Sequence, residues 1–294
     1  MKQLLTTFTL ITAAGAWSSA ARADELPTGL VNQDPASAGA TDVGGGGFGE
    51  ATKPDEDKDA TQAEISAGAL VTSGNSRQMA LTSAGKFRLR RSAHQFSTQA
   101  AGNLARAAAP GTDAGMETTV ENLQGRVRYD YFFSSAFSGF LGVVGRRDRF
   151  QGLNLRLNVD PGVAYYAIDE AQQQFWFELG YDLQHDIRRD EALAVALADG
   201  EVLAKTETRH SGRAFIGYEN KLNERVTGST GLEYLQSVQD SSKWRMNWDA
   251  AITSNIAGKF STAITFSLRY DHEPLPGIQN TDILTSFNLV YGLL

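Results

Sequence analysis

The chain contains no cysteine, and only four histidines, four methionines and seven prolines in 294 residues. Without a thiol there is no disulfide scaffold, no thiolate nucleophile and no cysteine to carry an N-terminal lipid anchor. Beyond the N-terminus no stretch reaches eighteen consecutive apolar residues, which excludes an ordinary membrane helix. Membrane strands escape that exclusion, because they alternate instead of staying apolar throughout. The few histidines have no partner at metal-binding spacing, so neither a metal nor any other cofactor is expected.

The first residues carry an address. Residues 1–23 combine one positive charge at Lys2, an apolar stretch from Leu4 to about Trp17, and the small-residue ending Ala21-Arg22-Ala23. This predicts a secretory signal peptide cleaved before Asp24, too short and too poorly flanked for a membrane helix. Its loss, with Lys2 and Arg22, leaves 25 basic against 34 acidic side chains, a formal charge of -9. Such acidity argues against nucleic acid as a partner. Residues 24–61 hold the run Gly44-Gly45-Gly46-Gly47, three prolines and a charged tract from Lys53 to Asp59, with almost no aromatic side chains. This composition predicts a flexible arm, because burial cannot offset its ordering entropy. The glycines are not followed by the Gly-Lys-Ser/Thr of a phosphate loop, so no nucleotide site is assigned.

From Gln62 onward the period is two. Phe260, Thr262, Ile264, Phe266, Leu268 and Tyr270 share one face, and Ser261, Thr265, Ser267, Arg269 and Asp271 the other. The same rule predicts twelve strands, at 62–72, 77–90, 93–105, 118–131, 136–150, 154–167, 172–188, 205–220, 225–237, 243–256, 258–271 and 281–294. Many are far longer than a globular strand of about 5–6 residues. Alternate connections are short, as at Arg91-Ser92 and 132–135, while 107–117, 189–204 and 272–280 are long; 151–153 is a short exception. Tyrosine and tryptophan recur near strand ends, including Tyr129, Tyr131, Tyr165, Tyr166, Tyr181, Tyr218, Tyr234, Trp244 and Tyr270. Even strand number, short-and-long alternation and aromatic girdles together predict an all-β transmembrane antiparallel up-and-down β-barrel over 62–294. A secreted sandwich would need a second layer against the apolar face, and the sequence offers none.

In the barrel the apolar parity faces lipid and the polar parity lines the lumen, with every tested interior position polar or small. The lumen-lining set is Lys86, Arg88, Arg126, Arg128, Asp130, Arg156, Glu178, Asp182, Arg213, Glu233, Arg245, Asp249, Arg269 and Asp271, joined by Glu64, Arg90 and Asp160. These charges either leave a narrow water-filled channel for ions or small solutes, or pair across the lumen and close it. His185 beside Asp186, and His272 beside Asp271, raise the question of an acid–base site in an outer-membrane hydrolase. Neighbours in a strand point to opposite faces, and no serine pairs with His210 from sequence. No enzymatic activity is expected.

The segment Gly68-Ala69-Leu70-Val71-Thr72-Ser73-Gly74-Asn75-Ser76 resembles the opening of the salt-induced outer-membrane protein family, a barrel-forming domain of unknown function. Asn247 and Asp249, then Arg269-Tyr270-Asp271, Pro274, Pro276-Gly277 and Thr281-Asp282, resemble its C-terminal stretch. The resemblance implies a Gram-negative outer membrane, with lipid, lipopolysaccharide and the barrel-assembly machinery as partners and a monomeric barrel. It implies no catalytic residue. The chain departs from the common terminal aromatic of such barrels by ending on Leu294.

Overall fold

The computed structural model describes residues 60–72, 78–108, 115–149, 151–170, 172–198, 200–274 and 280–293. Twelve strands follow in order: β1 (Ala60–Thr72), β2 (Gln78–Arg91), β3 (His94–Ala107), β4 (Glu117–Phe132), β5 (Phe137–Asp148), β6 (Leu153–Asp169), β7 (Gln173–Arg188), β8 (Thr206–Lys221), β9 (Val226–Ser237), β10 (Trp244–Ala257), β11 (Phe260–Asp271) and β12 (Thr281–Gly292). Each pairs antiparallel with its neighbours in sequence, and β1 meets β12, so the sheet is a closed barrel. Closure is the physical answer to long alternating strands with one fully apolar face, because a ring has no unpaired edge to leave in hydrocarbon.

Opposite exposure of adjacent residues fixes the two faces. On β7 the side chain of Leu179 is 64% exposed, and that of Glu178 is 1% exposed. Leu123, Val127, Leu141, Leu157, Val163, Ile216, Leu232, Ile252, Ile264 and Phe287 join Leu179 on the outer wall. A band of that extent far exceeds the few hundred Å2 of contiguous apolar surface a soluble protein shows. Charged interior and apolar exterior invert the soluble pattern, and the molecule is a transmembrane β-barrel. Among the described residues no helix is long and apolar enough to cross a membrane.

The connections sort by end. Ser92-Ala93, 133–136, 222–225 and 258–259 are tight and lie together. Ser92 takes a left-handed φ of 51°, as a two-residue hairpin requires, and the Arg90 Nε donates to its carbonyl at 2.6 Å. Asn223 caps the β8–β9 turn, its Oδ1 accepting from the amides of Arg225 and Val226 at 2.9 and 3.0 Å. Longer segments occupy the opposite end. The one between β7 and β8 contains a helix, α1 (Asp190–Ala198), which an all-β reading did not foresee. Its Ala192 lies against Gly152, where a Cβ would come within 2.5 Å of the Ala192 Cβ.

One seam differs from the rest. β11 and β12 pair from Phe260 to Tyr270, yet β1 and β12 pair only from Glu64 opposite Gly292 to Ala67 opposite Leu289. Among the described residues the register across that seam runs over these four pairs.

The predicted signal peptide, Leu294 and nearly all of the arm lie outside the described residues. The exception corrects a boundary, because Ala60 and Thr61, assigned to the arm, already pair with Arg90 and Leu89 in β1. A polar, alternating sequence extends a strand as long as a neighbour offers hydrogen bonds, and β2 reaches that far.

Candidate functional site in the barrel interior

The polar parity converges in the lumen as a chain of ion pairs. Arg128 on β4 donates to Asp130 at 2.7 Å through Nη2 and to Glu178 on β7 at 2.9 Å through Nη1. The other oxygen of Glu178 accepts from Arg213 on β8 at 2.8 Å, and Arg213 Nε donates to Glu233 on β9 at 2.7 Å. Asn247 on β10 completes the run by donating to Glu233 at 2.8 Å. The Arg128–Glu178 contact is the decisive one. β4 and β7 are not neighbours, so the bond passes across the lumen over β5 and β6. All five ion-paired side chains are at most 1% exposed, so no water column passes between them.

A second tier lies towards the long-loop end. Asn158 donates to Asp182 at 2.8 Å, Arg156 binds Asp186 through two bonds of 2.8 and 2.7 Å, and Arg269 reaches Asp249 at 2.7 Å. Arg245 on β10 approaches Asp182 on β7 at 3.9 Å, again across two intervening strands. Bidentate guanidinium–carboxylate geometry of this kind fixes both partners in place. Arg126 stands apart: it is buried, but its Nε and Nη1 have no hydrogen-bond partner. Asp160 is buried nearby, with Oδ1 likewise unpartnered.

Below the charges sits a layer that corrects the expectation of a uniformly polar or small interior. Phe132, Phe140, Ala164, Tyr166, Trp176 and Phe215 form one buried apolar cluster at the short-turn end. Tyr166, expected in an outer girdle, faces inward and lies 3.4 Å from the Ser138 hydroxyl. The rings fit because glycine faces them. A Cβ on Gly217 would come within 2.2 Å of the Trp176 ring, and one on Gly162 within 2.4 Å of Phe140. Arg128 stacks over Phe140 at 4.0 Å and Arg90 over Phe132 at 3.7 Å, so the cationic tier rests on the aromatic one.

The opposite wall is built differently. Glu64, Lys86, Arg88 and Gln99, on β1 to β3, are half-buried. Arg88 bonds to Gln62, and Asp271, also half-buried, accepts from the Glu273 amide at 3.1 Å near the rim. Towards the long-loop end this wall becomes small and uncharged, and a concavity of about 580 Å3 is bordered there by residues of both faces, Gly68, Thr82, Asn103 and Asn122 of the inner parity and the exposed Leu81 and Leu104 of the outer one.

The structure brings together Arg128, Asp130, Glu178, Arg213 and Glu233. Arg156, Asp182, Arg245, Asp249 and Arg269 occupy the second tier, while Lys86, Arg88 and Asp271 are peripheral to both. Sequence reasoning missed Arg146 and Asp148, bonded at 2.9 Å, and Asp186 and Arg188, all buried. β5 hides the first two, because Phe140 and Val144 on the inner parity are as apolar as Leu141 and Val143 on the outer one.

The histidines belong to the outer wall. His94 meets the Tyr129 hydroxyl at 2.6 Å, His185 that of Thr208 at 2.8 Å and His272 that of Tyr270 at 3.1 Å, and His210 bonds to Tyr181. Trp244 stacks on His272 with centroids 5.1 Å apart. These are girdle contacts. Asp186, the sequence neighbour of His185, points inward to Arg156, so the two do not form a dyad.

Among solved structures, the chain is similar to an outer membrane channel from Pseudomonas putida F1 at 12% identity, covering 83% of this chain and 100% of that one, with a TM-score of 0.46. It is similar to the NanC porin at 11% identity, covering 79% and 97%, with a TM-score of 0.44. No curated protein matches it. The family model described as "Protein of unknown function, DUF481" matches residues 65–293, from within β1 to the end of β12, and the chain belongs to that family.

Proposed function

We propose that this barrel resides in the outer membrane of a Gram-negative bacterium and serves the envelope itself, in structure or in the response to stress, rather than general diffusion. The observation that carries this reading is the Arg128–Glu178 contact across the lumen, stacked on a buried aromatic layer. Two successive closures on the barrel axis oppose bulk flow. The expected export signal and the resemblance to a salt-induced outer-membrane family support the location and a role under osmotic load. Lipid and lipopolysaccharide are the partners of its apolar wall and girdles, the barrel-assembly machinery acts during biogenesis, and the barrel works as a monomer. It has no enzymatic activity and no nucleic-acid partner in this reading.

A second reading, a narrow channel for ions or small solutes, draws on the half-buried Glu64, Lys86, Arg88 and Gln99 along β1 to β3. Planar-bilayer recording of the purified mature barrel separates the two. Silence in the native protein, with conductance appearing in Phe140→Ala/Trp176→Ala, is the expected result. A steady conductance in the native barrel overturns the first reading and favours the second.

A further inference from the structure

Strands β3, β4 and β5 repeat one pattern along the outer wall. Each shows an exposed aromatic side chain near the short-turn end, Phe96, Tyr131 and Phe137, and ten positions away on the same face an exposed charged one, Arg106, Glu121 and Arg147. Leu104, Leu123, Leu141 and Val143 lie between them, all exposed. Ten residues of strand span about 33 Å, which at a tilt of about 40° is about 25 Å along the membrane normal, the height of an apolar band. The aromatic rings therefore mark one interface of the bilayer and the charges mark the other.

Arginine dominates that second interface. Arg149 continues the outer face of β5 beyond Arg147, and its amide donates to the Glu121 carbonyl at 3.1 Å, which sets the two residues side by side. Their half-exposed side chains meet at 3.4 Å, a surface contact that holds little energy. Glu117 has the inner parity, because it stands opposite the buried Ala107. Among the described residues, three guanidiniums thus share this part of the outer face with one carboxylate, over two strand spacings or about 10 Å. Arg106 and Arg147 also stand at breaks in the ladder, one between Ala105 and Arg106 against β4 and one between Arg146 and Asp148 against β6. Such bulges re-aim a side chain and increase the local twist. On β7 to β11 the outer wall at the long-loop end is instead faced by the rings of His185, His210, Trp244 and Tyr270.

We propose that the long-loop end of the β3–β5 wall is a docking site for lipopolysaccharide, with Arg106, Arg147 and Arg149 on its phosphates and its acyl chains along Leu104, Leu123 and Val143. The site rests on the outer-membrane location proposed above, in which the long loops face outward beside the leaflet that holds this glycolipid. Cations placed where the apolar band ends meet the headgroup layer, and arginine binds phosphate through two parallel hydrogen bonds. A lipid with more than one phosphate matches the patch, because its guanidiniums are spread over about 10 Å. Docking here is independent of conduction, since it engages the outside of the wall and not the lumen.

The test uses the mature barrel in dodecyl maltoside with deep-rough lipopolysaccharide, and reads saturable binding by thermophoresis. Arg106→Gln/Arg147→Gln is expected to raise Kd roughly tenfold or more, as for the loss of two charge-assisted contacts. Lys221→Gln/Arg225→Gln, which removes exposed cations from the short-turn end, should leave Kd unchanged. All four side chains are exposed, and heat-modifiable gel mobility shows that each variant folds. Phosphatase-treated lipopolysaccharide should bind weakly, and neither inorganic phosphate nor phosphatidylglycerol should displace the intact lipid. Equal affinity of the native barrel and the Arg106/Arg147 variant overturns the site, as does an equal loss in the short-turn variant or displacement by either competitor. Membrane fractionation tests the location separately. An outer-membrane barrel whose Arg106/Arg147 variant binds like the native protein overturns the site alone, whereas a barrel found in another membrane overturns the location and the site with it.

Discussion

Glu178→Gln is the sharpest probe of the closed lumen. The substitution keeps the side-chain volume and removes the charge that holds Arg128 at 2.9 Å and Arg213 at 2.8 Å, where all three groups are at most 1% exposed. At an effective dielectric constant near 20, each contact carries about 6 kcal/mol of gross attraction. Most of that offsets the cost of bringing the ions out of water, and removing one partner of a buried pair leaves a net loss of about 3–5 kcal/mol. Arg128 keeps Asp130 and Arg213 keeps Glu233, which places the expected loss near the lower end, about 3 kcal/mol. That is roughly a hundredfold in the folding equilibrium, since about 1.4 kcal/mol is tenfold. Urea unfolding of the mature barrel in detergent micelles, followed by tryptophan fluorescence, measures it. A double-mutant cycle with Arg213→Met should return a coupling of about 2 kcal/mol, within the range for residues in one network. A loss below about 0.5 kcal/mol would mean that water reaches Glu178 and that the lumen is not closed at this tier.

Arg126→Met should behave in the opposite sense to Arg128→Met. The first removes a buried guanidinium with two unpartnered nitrogens and is expected to be neutral or stabilising by about 1–4 kcal/mol, and the second to cost about 3–5 kcal/mol, in the same unfolding assay. Gly217→Ala forces a methyl into the Trp176 ring and should cost about 1–3 kcal/mol while shifting the tryptophan emission; an unchanged spectrum and stability would place Trp176 elsewhere. In the exposed β9–β10 loop, the Ser242 hydroxyl, at 2.7 Å, and then the Ser242 amide hold Asp240 below the usual carboxylate range. The loop contact is therefore fully present above the ordinary Asp value of 3.8 and lost as pH falls through the lowered one. Chemical-shift titration of Ser242 should show no change from pH 8 to 5, a transition below that, and none in Asp240→Asn.

The strands were legible because their signal is local. A side chain's face depends only on its parity, so the inward turn of Arg126, Arg128, Glu178, Asp182, Arg213 and Glu233 follows from the pleat. Turn length likewise told the two ends apart. The aromatic tier was harder to read, since Phe140, Trp176 and Phe215 sit on the inner parity only where Gly162 and Gly217 make room, a match between residues up to 41 positions apart. The helix α1 gave no amphipathic warning, because only Ala196 is buried in it.

By itself, the sequence determined that this protein is a long-stranded barrel wall with an apolar outside and a charged inside, because a period of two assigns every side chain to a face without reference to any other strand. Only the tertiary structure decided what the inside does. The meeting of Arg128 with Glu178, 50 residues away, depends on the stagger accumulated around the ring. Stagger is a property of the closed sheet and not of any strand within it. It alone brings the charges together across the lumen.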